Sequence, residues 1–169
     1  MCYITVGTGI GIGLIINGKT VHGVLHPEAG HVHLPKEEAD KDFKGVCPFH
    51  GDCVEGLCSN IAIKERLGLK SVDEIPKLAD SHFIWDLLAQ YCGTLCSNIF
   101  LTTSVERIVI GGGIFNRKCL MEKTREVFSK RINGYIVNKK IDDLDSFIAR
   151  PEHGDDLGML AAAFAGANH

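Results

Sequence analysis

Long apolar runs are missing from this 169-residue chain. The longest, residues 159–167, holds nine residues, where a membrane-spanning helix needs roughly 18. No membrane partner is therefore predicted. A charge excess of either sign is also missing: 18 Lys and Arg stand against 21 Asp and Glu, a net charge of −3. With neither a basic face nor an acidic tail, no nucleic-acid partner is predicted. The opening residues lack the basic n-region and cleavage pattern of a secretory signal. Internal repeats, low-complexity tracts and linkers are absent as well. What remains is 45% hydrophobic and 23% charged residues, an ordinary composition for one globular domain with its own core, expected in the cytoplasm.

Seven cysteines are present. An odd count without a signal argues against a secreted disulfide scaffold, so the thiols are either buried as small apolar groups or bound to metal. Cys58, Cys92, Cys96 and Cys119 fall on apolar faces of predicted helices and read as core. Cys47 and Cys53 do not.

Periodicity predicts strands over residues 2–6 and 12–17, joined by a glycine turn, and a third short strand over 19–24 after the tight-turn pair Asn17 and Gly18. Residues 26–54 show no clean period and are rich in His, Gly, Pro and Cys. A loop of that length inside a domain is usually functional or held by something other than a core. A helix capped at Ser59 or Asn60 runs to Gly68, and a capping-box spacing follows Ser71. The longest predicted helix, residues 81–104, carries Ile84, Leu88, Tyr91, Leu95 and Ile99 as a core-facing stripe. A strand over 106–110, a helix over 117–132 stopped by Asn133 and Gly134, a strand over 145–150 and a helix over 155–166 complete the chain. The order predicts an α/β layered domain with a mixed sheet.

The strongest motif is C-P-F-H-G-D-C over residues 47–53. Zinc takes four thiolate or imidazole ligands in a tetrahedron, and two-residue spacers let a turn present successive ligands to one ion. Cys47, His50 and Cys53 supply three ligands, and His31 at the other end of the loop is the best fourth. The bland alternative is two free thiols beside a surface histidine.

Residues 7–13 carry glycine at every second position. A strand rather than a helix follows, so this is not a dinucleotide fingerprint. Gly7, Thr8, Gly9 and Gly11 offer a bare face with free backbone N–H groups that a polyphosphate can approach. A tight hairpin packed against another backbone is the alternative. Ile12 is read as narrowing that bare face. Gly111, Gly112 and Gly113 end a strand and open a helix, a position where ligands bind in open α/β sheets. Glu28 and Glu55 flank the proposed metal loop and suit sugar hydroxyls, or are solvated surface acids.

Together these residues resemble the ROK family of sugar kinases, in particular its bacterial fructokinase branch. The likeness lies in residues 6–11, 17–18, 26–31 (H-P-E-A-G-H), 45–56 (G-V-C-P-F-H-G-D-C-V-E-G) and 107–113 (R-I-V-I-G-G-G). It implies an RNase H-like (actin-like ATPase) lobe with a mixed sheet and a zinc-held loop over about residues 26–56. Residues 1–169 would form the C-terminal lobe of a two-lobed kinase, without the N-terminal lobe that carries the catalytic base. The resemblance also implies ATP, as its Mg2+ complex, on Gly7–Gly11, with Gly111–Gly113, Ile114 and Phe115 against adenosine. Structural Zn2+ would sit on His31, Cys47, His50 and Cys53, and fructose or a related hexose on Glu28, His31 and Glu55. A homodimer is implied too. Asn60 and Ile61 stand where the family usually has a Gly-Pro turn near the nucleotide. The alternatives are the non-catalytic sugar-sensing domain of a ROK repressor, or a kinase for another hexose.

Overall fold

Alternating side chains set the sheet. In the computed structural model, which describes residues 1–152 and residue 154, β1 (Cys2–Val6) buries Cys2, Ile4 and Val6. β2 (Ile10–Ile16) runs antiparallel to it, with Ile4 opposite Ile12. β3 (Lys19–Thr20) pairs with β2 through a turn in which Asn17 and Gly18 both have positive φ. β4 (Ile108–Gly111) lies parallel to β1 on its other side, and β5 (Ile148–Ala149) parallel to β4. The strand order is β3-β2-β1-β4-β5, a mixed sheet as predicted. The register puts Ile12, Ile4 and Ile110 in one buried row.

The predicted third strand is only two residues long, and so is the strand predicted over 145–150, whose first three residues are helical. α5 (Lys139–Asp142) and α6 (Leu144–Phe147) precede β5, with the Asp143 side chain capping α6 at Ser146 N. The predicted helix at 155–166 lies outside the described residues. Among the described residues, no helix is long and apolar enough to cross a membrane.

Residues 13–20 spell G-L-I-I-N-G-K-T, the letters of a P-loop. They form the end of β2, a turn and β3, not the strand–loop–helix that a P-loop requires. Ile12 is buried, while Gly11 and Gly13 alternate with it on the exposed face. Its side chain therefore enters the core and leaves the bare face intact.

α3 (Phe83–Thr103) and α4 (Lys118–Ile132) form the main helical layer. Gly93 sets their separation: a Cβ there would lie 2.6 Å from Val127 Cβ and 2.8 Å from the Thr124 carbonyl oxygen. Gly93→Ala is expected to cost about 1–3 kcal/mol by overpacking, read as a lower urea midpoint with an unchanged slope. Cys58, Cys92 and Cys96 are buried as predicted, and burial holds the Cys58 and Cys96 thiols well above their usual pKa. Cys119 is instead only half-buried, with Sγ 3.9 Å from the Asp80 carbonyl oxygen.

Candidate functional site

Because β1 and β4 are parallel neighbours, both glycine turns emerge at the same edge of the sheet. Gly112, at φ +91°, packs so closely that a Cβ would stand 2.3 Å from the Val6 carbonyl oxygen. That edge is where open α/β sheets bind ligands. An open cleft of about 500 Å3 begins there, lined by Asn60, Ile75, Pro76, Gly113, Ile114 and Asn116 among others. Ile114 thus reaches the cleft. Phe115 does not line it; its side chain is fully buried in the core.

The hairpin tip is fastened to the following helices. α1 (Val54–Cys58) and α2 (Asn60–Leu67) are nearly continuous, and Asn60 N–H donates to the Gly7 carbonyl at 2.8 Å. Asn60 therefore links the hairpin to the cleft. Glu55, in the first turn of α1, accepts the Ile10 N–H at 2.9 Å through Oε2. Gly30 presses on the same residue, since a Cβ there would lie 2.2 Å from the Ile10 carbonyl oxygen. The segments bearing Glu28 and His31 on one side, and Glu55 on the other, thus meet at Ile10. Thr8 is exposed at the tip, and Glu28 is exposed and paired with His26 at 2.7 Å.

The long loop closes on a cluster of donors. His31 Nδ1 stands 3.7 Å from Cys47 Sγ and 3.5 Å from Cys53 Sγ, and His50 Nδ1 stands 3.7 Å from Cys47 Sγ. One ligand atom from each of His31, Cys47, His50 and Cys53 lies within 4.8 Å of all the others. With Zn–S near 2.3 Å and Zn–N near 2.05 Å, a tetrahedral ion spaces S and N by about 3.5 Å. The donor set and separations fit such an ion. Backbone bonds shape the turn: Cys47 N–H to Gly51 O at 3.1 Å, Gly51 N–H to Cys47 O at 2.9 Å, and Val54 N–H to Val32 O at 3.0 Å. Gly45 and Gly56 are forced, because a Cβ on either would collide with the Gly51 carbonyl. Burial raises the Cys47 thiol, but N–H groups of His50 and Phe49 outweigh it and its pKa falls. For Cys53 burial prevails and the pKa rises.

A second device, missed in the sequence, anchors the loop from below. Asp40 is buried and accepts Arg66 Nε at 2.8 Å, a second Arg66 nitrogen at 3.0 Å and the Tyr91 hydroxyl at 2.9 Å. Arg66 also donates to the Leu57 carbonyl at 2.8 Å and stacks over Phe43 at 4.1 Å.

The ROK family model matches residues 1–167. This chain belongs to the ROK family. It is 37% identical to the fructokinase of Zymomonas mobilis over 160 residues, which is 95% of this chain and 52% of that protein. Two solved structures share the fold: a ROK hexokinase from Thermus thermophilus (TM-score 0.75, 22% identity) and a ROK glucokinase from Streptomyces griseus in complex with glucose and AMPPNP (TM-score 0.72, 20% identity). This chain is covered to 97% in both, and they are covered to 56% and 59%. The fold is that of the actin-like ATPases. The chain spans about half the length of the relatives it matches.

Proposed function

We propose that this chain supplies the sugar- and nucleotide-binding wall of an ATP-dependent hexose kinase whose substrate is fructose. The observation that carries the reading is the meeting, at one sheet edge, of two glycine turns and an open cleft, with Glu55 and the loop that bears the metal donors fastened to the hairpin at Ile10. In this reading Gly7, Thr8, Gly9 and Gly11 receive the phosphates of Mg–ATP, and Gly111–Gly113 with Ile114 border the adenosine in the cleft. Glu28, His31 and Glu55 accept sugar hydroxyls. A structural zinc ion on His31, Cys47, His50 and Cys53 supplies rigidity, and no chemical step passes through it. With Nδ1 of His31 turned to the thiols, its Nε2 is left for the sugar.

Phosphoryl transfer depends on positioning and charge neutralisation, with a base to orient the attacking hydroxyl. The groups named here position; the base belongs to the other wall of the cleft. The 169-residue chain by itself is therefore expected to bind without turnover, and fructose-dependent ADP release by it would contradict that. The fructokinase-type C-P-F-H-G-D-C loop favours fructose over other hexoses and a kinase over a sugar-sensing repressor domain. We place the protein in the cytoplasm, as a homodimer.

Calorimetric titration with fructose, glucose and mannose tests the substrate. Fructose should bind most tightly, and Glu28→Ala should weaken it about 10-fold, the scale of a lost hydrogen bond to a charged group. Equal binding of all three sugars would remove the fructose assignment. An unchanged affinity in Glu28→Ala would remove that residue from the site.

A further inference from the structure

We infer that Glu55 ties the sugar site to the phosphate hairpin, so that sugar and nucleotide bind cooperatively; this rests on the hexose-kinase reading above. A carboxylate has two oxygens. Glu55 Oε2 is committed to the Ile10 N–H at 2.9 Å, so Oε1 is the one left for a sugar hydroxyl. The carboxylate also occupies the space beside Gly9, where a Cβ would sit 2.7 Å from Oε2 and 3.5 Å from Cδ. Gly9 is not in the left-handed region, so its backbone does not require glycine. A Cβ there would instead push the Glu55 carboxylate aside.

The same hairpin tip is held at two further points. Asn60 N–H takes the Gly7 carbonyl at 2.8 Å, and the Gly30 backbone rests on the Ile10 carbonyl. A sugar hydroxyl donating to Oε1 would fix the Glu55 rotamer, and with it the Ile10 N–H and the hairpin loop. Nucleotide then meets a hairpin already ordered, and by linkage the reverse effect is equal.

Gly9→Ala tests this, because it displaces the Glu55 carboxylate without removing the sugar acceptor. Gly13→Ala is the control, since a Cβ there meets nothing within 4 Å. Fructose affinity is measured by calorimetry with and without AMPPNP and Mg2+. In the wild type, AMPPNP should tighten fructose about 5-fold or more, within the usual range of coupling between sites. Gly13→Ala should keep that gain and Gly9→Ala should lose it. If the wild type binds fructose equally well with and without AMPPNP, or Gly9→Ala keeps the gain, the coupling is wrong and the kinase reading stands. Absence of fructose binding by the wild type at millimolar concentration overturns both. Should Gly9→Ala fail to fold, amide exchange at Ile10 in the wild type decides. It slows on adding fructose if Glu55 transmits the effect, and an unchanged rate overturns the coupling.

Discussion

Replacing Cys47 and Cys53 together by alanine should release one metal ion per chain and lower the melting temperature by about 10 °C. Between residues 26 and 53 the buried side chains are few: Leu34, Asp40 and the two cysteines themselves. So little apolar surface cannot order a loop of this length. Structural zinc contributes about 10–16 kcal/mol in isolated finger peptides. Here the Asp40 anchor and backbone bonds carry part of that role, and a loss of about 4 kcal/mol is a reasonable scale. At about 2–4 °C per kcal/mol for a chain of this size, the fall is about 8–16 °C. Native mass spectrometry reads the ion and calorimetry reads the melting. A metal-free variant that melts with the wild type would show that the cluster holds no structural ion.

Asp40→Ala should cost about 3–5 kcal/mol, the penalty for leaving a buried charge without its partner. The Arg66 side chain is 7% exposed and that of Asp40 is 1% exposed, so water cannot replace the lost carboxylate. The Tyr91 hydroxyl would lose its acceptor as well. Asp40→Asn keeps one acceptor oxygen and should cost less. Asp40→Ala combined with Arg66→Met should recover part of the loss, because no unpaired charge remains. Urea denaturation of the four proteins reads the series. Equal midpoints for Asp40→Ala and the wild type would mean that Arg66 finds another partner.

Elements with a strong local signal were legible in the sequence. The glycine hairpin, the 21-residue α3 and the Asn133 stop of α4 all appear where pattern and capping place them. The donor spacing in residues 47–53, with His31 as fourth member, also matches the cluster found in the fold. The misses are of two kinds: helices too short to show a period, and contacts with neighbours distant in the chain. α1 has five residues and starts on a thiol cap, with Cys53 Sγ accepting from Gly56 N, a signal too short for periodicity. α5 and α6 are one turn each behind Asx caps, and α6 takes the first half of the segment read as a strand over 145–150. Phe115 follows two cleft residues but turns into the core. Gly9 reads as a phosphate glycine; its closeness to the Glu55 carboxylate, 46 positions on, has no local signal. The Asp40–Arg66–Tyr91 network spans three elements and leaves no trace in local composition.

Amide NMR mapping of the labelled, zinc-loaded chain tests the hexose-kinase reading most directly. Fructose is predicted to shift amides around Glu28, His31 and Glu55, together with Ile10. Mg–ATP is predicted to shift those of residues 7–11 and 111–114 and of Asn60. Shifts confined to other surfaces, or none with either ligand, would contradict it.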